Sequence, residues 1–208
     1  MDTKERILLA ARDLFGSFGF ANTTYKRIAQ HLGIAEGLIA HHFGSKDNLF
    51  VEVQVRILQD LTERMAEGEF YAHHGLSMLL NQAKALLRAS QDPQSGCRAL
   101  LRCSPLFSLE HQSPDARLLA GCQTMIQRVL TAIVRGQKDG SIRSTLEPTL
   151  AASVFFATVF GAIRARLLTP AHGVLGIEPK DGFYAEILSI LERYFSASSS
   201  SEDDGATR

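Results

Sequence analysis

From Thr23 to Phe50 the chain reads TTYKRIAQHLGIAEGLIAHHFGSKDNLF, with apolar residues at one-turn spacing and a glycine, Gly33, between two short runs of them. That pattern leaves little freedom. A helical period predicts helices, and Gly33 takes a left-handed residue at no steric cost, so one helix ends there and another soon begins. Ala29 is small enough for the two to cross closely. Ile34 and Ile39 plug the junction, and Phe43 faces inward from the second short helix. A preceding helix, with Ile7, Leu8, Ala11, Leu14, Phe15 and Phe18 on its apolar face, completes a helix-turn-helix unit. Such a unit projects its third helix outward, where it fits a major groove about 12 Å wide. An ordinary helical corner has the same spacing, so this pattern alone leaves both readings open.

The rest of the chain is also helical in period. Asp2 and Glu5 stand in capping-box spacing for the first helix, and Thr23 or Thr24 caps the second. Ser45 caps a fourth helix carrying Leu49, Phe50, Val53, Ile57, Leu61 and Met65. Further helices are expected at about 76–89, at 97–110 (broken at Pro105), after Ser113-Pro114-Asp115 with a stripe from Leu118 to Ile133 and an end at Lys138-Asp139-Gly140, at 148–168 with Pro148 in its first turn, and at 182–195. No segment alternates with period two. The fold class is therefore all-α, with about nine helices: a helix-turn-helix domain at 1–48, a helical domain at 49–195 and a disordered serine-rich, acidic tail at 196–208.

The 208 residues carry a net charge of zero, so any nucleic-acid binding must come from a local patch rather than a global field. Residues 1–50 are themselves nearly balanced: Lys4, Arg6, Arg12, Lys26, Arg27 and Lys46 against Asp2, Glu5, Asp13, Glu36 and Asp47. Cys97, Cys103 and Cys122 form no CxxC pair, and no signal segment precedes the first helix, so a cytoplasmic chain with reduced thiols is expected. The apolar run from Ala151 to Ile163 reads as too short to span a bilayer, so no membrane association is expected. His73-His74 lies in a polar loop without metal-ligand spacing. Ser77, Cys103, Ser104 and His111 form no nucleophile–base arrangement, and there is no phosphate loop. Neither a metal, a cofactor nor an enzymatic activity is expected.

The stretch also resembles the signature of the tetracycline-repressor (TetR) family, through Thr24, Ile28-Ala29, Gly33-Ile34, Phe43 and Ser45-Lys46. The close likeness covers residues 3–50. Five further helices and a Lys-Asp-Gly-Ser-Ile-Arg link extend it more loosely. The resemblance implies a homodimeric, cytoplasmic transcriptional regulator, usually a repressor, that binds a palindromic double-stranded DNA operator and is released by a small-molecule effector.

Residue by residue, the resemblance places Thr24 and Tyr25 on phosphate, Lys26 near a base edge, and His41, His42 and Lys46 on phosphate. The reading helix itself, Ala35, Glu36, Gly37, Leu38 and Ala40, lacks the polar residues the family often has there. Glu36 is suited to accept from a cytosine amino group, and Leu38 or Ala40 to touch a thymine methyl; alternatively Glu36 is merely solvated and Leu38 packs inward. The family binds its ligand among the fifth to eighth helices, which points to Leu79, Ala83, Leu86, Leu100, Cys103, Phe107, Met125, Val129 and Phe156, each of which also reads as plain core. Such walls, with scattered Arg102, His111 and Gln123, suit a lipophilic effector with one or two polar groups. The family pairs its last two helices across a dimer, here Ala157, Gly161, Ala162 and Ala165 with Ile187, Leu191 and Tyr194. A ligand-independent DNA-binding module, a redox-sensing regulator and an enzyme are the alternatives.

Overall fold

A computed structural model describes residues 2–103, 115–168 and 181–197. Among them are nine α-helices: α1 (Thr3–Asn22), α2 (Tyr25–Leu32), α3 (Glu36–Phe43), α4 (Lys46–Glu69), α5 (Gly75–Ala89), α6 (Cys97–Arg102), α7 (Ala116–Asp139), α8 (Pro148–Leu168) and α9 (Phe183–Phe195). No strand occurs among the described residues beyond an isolated bridge between Ile142 and Ser196. The all-α expectation holds. Pro105, Phe107, His111 and the tail from 198 onward lie outside the described residues.

In the first three helices the apolar stripe closes as its spacing predicts: Ile7, Ala11, Phe15, Ile28 and Ile39 are all fully buried. Gly33 takes φ 66°, ψ 36° and ends α2. Thr24 caps α2, its hydroxyl accepting from the Arg27 amide at 3.2 Å. Thr23 is instead buried, its hydroxyl within reach of the Leu14 and Gly19 carbonyls. The capping box expected at Asp2 is absent: Asp2 makes no side-chain cap, and Glu5 pairs with Arg56 of α4. The chain kinks at Gly19 (φ 79°), which brings Phe20 back onto Phe15 and Phe50 at ring distances of 5.9 and 4.8 Å.

α4 is one unbroken helix of 24 residues, about 36 Å long at 1.5 Å per residue. The domain boundary expected at 48/49 falls in its first turn, so the helix-turn-helix unit and the bundle share it. Lys4–Glu52 at 2.7 Å and Glu5–Arg56 fasten α1 along its side.

α5 begins with Gly75 jammed against α7: a Cβ there would lie 2.0 Å from the Gly136 nitrogen. The link after α7 then serves the free amides of the α5 start. Asp139 accepts from Gly75 at 2.7 Å, and the Ser141 hydroxyl accepts from Leu76 at 3.0 Å. His74 completes the cap, its Nδ1 accepting from the Ser77 amide at 3.1 Å. That is the structural use of the His73-His74 loop. Among the described residues no group of three metal-ligating side chains gathers anywhere.

α8 departs from its reading. Counted over the whole helix, Pro148–Leu168 is long and apolar enough to cross a bilayer by length and composition, with a mean hydropathy of 1.5 over an 18-residue window. The expectation considered only the shorter run inside it. Here the helix packs on α6, α7 and α9, and 33% of that window is buried.

Candidate nucleic-acid interface

α3 presents Glu36, Gly37, Ala40 and His41 to solvent, with Ala35 just before it, while Ile39 and Phe43 anchor its inner side. His42 and Leu38 are half-buried, so Leu38 sits between its two readings. Nothing lies within 4 Å of where a Cβ on Gly37 would be. The glycine is therefore not forced by packing, and it leaves the helix backbone open to close approach. The His41 and His42 rings stand 5.6 Å apart near the α3 C-terminus, where the helix carbonyls favour positive charge.

Two capped helix starts accompany α3. The first amides of a helix have no intrahelical partner and bear partial positive charge, which suits a phosphate. At α2 the cap is Thr24. At α4 it is Ser45, accepting from Asn48 at 3.1 Å. The two starts are neighbours: the Lys46 ammonium donates to the Phe20 carbonyl at 3.0 Å and lies 4.1 Å from the Phe20 ring centre, and the Asp47 charge reaches Tyr25. Lys46 thus spends one of its three donors on the protein. Lys26 is exposed.

Tyr25 is placed otherwise than the resemblance implies. Its hydroxyl is buried with no hydrogen-bond partner. Burial, and after it the Asp47 carboxylate, push its phenol above the ordinary tyrosine value. Arg27 was not singled out in the sequence, yet it is exposed beside Lys26. Its guanidinium stacks 4.3 Å from the Phe18 ring centre and donates to the Asn22 carbonyl at 2.8 Å. The one signal for it was a second basic residue in the first turn of α2.

The residues expected to line a ligand site are mostly deep core. Leu79, Ala83 and Val129 are fully buried, and Leu86, Leu100 and Met125 nearly so. Phe156 is half-buried and stacks on Phe160 at 6.0 Å. The Cys103 thiol donates to the Phe15 carbonyl of α1 at 3.4 Å. Phe107 lies outside the described residues. Among the described residues, clefts lie between α1 and α4, between α1 and α6, along α7 and between α4 and α5, and none of these includes a predicted lining residue. Burial raises all three thiols above the ordinary cysteine value, and for Cys103 it outweighs the charge of Arg102. That works against a redox trigger, which needs the thiolate.

Of the residues expected at a dimer interface, Ala157 and Gly161 are exposed, and Ala165, Ile187 and Tyr194 half-buried. Ala162 and Leu191, 5% and 1% exposed, are taken up by the core of this chain.

Residues 7–53 match the family model of bacterial regulatory proteins, tetR family. The repressor AcnR of Corynebacterium jeikeium is 35% identical over 66 residues, a match covering 32% of this chain and 35% of that protein, so it spans about a third of that relative. AcnR of Corynebacterium glutamicum is 26% identical over 181 residues, covering 82% of this chain and 84% of the relative. The ketosteroid transcriptional regulator KstR2 of Mycobacterium tuberculosis has the same fold, with a TM-score of 0.74 at 20% identity over 95% of this chain and 96% of its own. The helix-turn-helix thus matches the tetR family of bacterial regulatory proteins in sequence, and the chain shares the fold of KstR2 over nearly its whole length.

Proposed function

We propose that the chain is a homodimeric transcriptional repressor that binds a palindromic DNA operator through α3 and is released by a small lipophilic effector held in its helical bundle. One observation carries the DNA-binding part: an exposed α3 stands with two adjacent, capped helix starts, at Thr24 and Ser45, beside Lys26, Arg27 and Lys46. Phosphates dock at the helix starts and set the register, and α3 then meets base edges. The described reading face has few side-chain donors, so DNA shape and half-site spacing supply much of the discrimination. Repression is the role carried by the names of both AcnR relatives.

The dimer rests on α8. A helix this apolar with only a third of its main window buried leaves Leu150 at 62% exposure, along with Ala157 and Gly161, and Ile190 of α9 at 46%. A second copy of the same surface covers these side chains and sets two reading heads at a fixed spacing. The effector role rests on the fold shared with KstR2, named for ketosteroid regulation, and on the apolar walls of the bundle.

A salt titration on a random-sequence duplex tests the phosphate anchoring. Lys46→Ala is expected to weaken all sequences alike and to reduce the magnitude of the log–log salt slope by roughly 0.9 per reading head. An unchanged slope with an altered base preference would contradict it.

A further inference from the structure

Gln54 is fully buried in α4, and neither the oxygen nor the nitrogen of its amide has a hydrogen-bond partner. Folded chains rarely leave a buried amide so. Gln54 lies one turn from Phe50 and one turn from Leu58, on one face of the helix. That face meets α7: a Cβ on Gly121 would lie 3.2 Å from Leu58. The charges of Glu52 and Arg117 interact at one end of the contact, and Glu69 holds Arg128 at 3.0 Å at the other. The two helices therefore run parallel, with Gln54 level with the first turn of α7 and its buried Leu118. Phe50, Val53, Leu58, Leu61 and Leu118 make this region apolar. A trapped water needs two to four polar partners, and among these described side chains only the amide is polar.

We propose that Gln54 is the polar recognition group of the effector site, and that the effector is an uncharged amphiphile whose head both donates and accepts a hydrogen bond, of the carboxamide or lactam class. The inference rests on the effector-responsive reading above and names the chemistry of that site. A neutral amide satisfies one donor and one acceptor of such a head together. It gives no counter-charge to an ammonium or a carboxylate, which burial would penalise. The apolar body lies against the α4 and α7 side chains. Because Lys46 begins the same helix, a ligand at Gln54 bears on the element that positions the reading head.

Thermal melting with hexanamide, hexanol, hexylamine and hexanoate at millimolar concentration tests this on the full chain. Wild-type, Gln54→Met and Gln54→Leu proteins are compared, with binding to a random-sequence duplex followed in parallel. Hexanamide is expected to raise the wild-type Tm by about 2–4 °C above the effect of the other three. Both variants lose that preference, and without ligand melt at or above the wild-type temperature, since each removes an unpaired amide. Equal responses to the four heads, an undiminished amide response in the variants, or variants that melt lower or fail to fold would each overturn the assignment. Absence of duplex binding by the wild type is a separate failure, of the DNA-binding reading, and leaves the melting comparison intact.

Discussion

Tyr25 occupies a position that the family resemblance assigns to phosphate, yet its hydroxyl is buried and unpaired. Removing a buried polar atom that bonds to nothing relieves a desolvation penalty of about 1 kcal/mol or more. Tyr25→Phe is therefore expected to raise Tm by about 2–4 °C and to leave DNA affinity within about two-fold. A tenfold loss of affinity, read by fluorescence anisotropy, would restore the phosphate role and require the ring to swing out on DNA. Glu36 stands at the other extreme, exposed on the outer face of α3. A carboxylate near phosphates is repelled, so its presence has a physical rationale if it accepts from a cytosine amino group, a contact that discriminates by roughly 1–3 kcal/mol. Glu36→Gln is expected to strengthen binding to random DNA and to shift the preference at one base pair per half-site. If the selected motif of the variant matches the wild type at every position, Glu36 only tunes charge. Sequence pattern placed α3 and the helix caps at Thr24 and Ser45. It did not show that Tyr25 turns inward or that Arg27 lies stacked on Phe18, because both depend on contacts between α2 and neighbouring helices.

Among the elements, α8 is where pattern and structure inform each other most. Its small residues were all read as one interface, but a helix has a full circumference. Ala162 faces the core of its own chain while Gly161, with open space where a Cβ would be, faces outward. Gly161→Phe therefore tests the pairing without disturbing the core. It is expected to overpack the partner helix at a cost of about 1–3 kcal/mol and to shift sedimentation toward monomer, with DNA binding falling alongside. A variant that remains dimeric at micromolar concentration would place the interface elsewhere. The helices themselves were legible wherever an apolar stripe was long: α1, α4 and α7 fall where period alone puts them. What escaped the sequence was tertiary. α7 ends at Asp139, as Lys138-Asp139-Gly140 indicates, but the sequence did not show that this end and the following Ser141 cap α5 from a distant part of the chain. Asp2 leaves its expected box because Glu5 finds Arg56. Local capping rules do not register such distant partners.

At the scale of the molecule, charge sets the terms. The chain is neutral overall, so long-range attraction to DNA is weak, and the proposed reading rests binding on two small heads held in register. α4 provides the connection. It carries Lys46 at its first residue, is fastened to α1 by Lys4–Glu52 and Glu5–Arg56, and runs unbroken into the bundle against α5 and α7. In the proposed dimer, a change of packing around this buried stripe would move the helix that carries Lys46, and two copies joined through α8 and α9 would convert that into a change of half-site spacing. The most direct test is selection of binding sites from random DNA with the full-length protein. The predicted outcome is enrichment of one inverted repeat, its two half-sites related by the two-fold axis of the dimer. Enrichment of an unrepeated site, or of no sequence over the random pool, would contradict it.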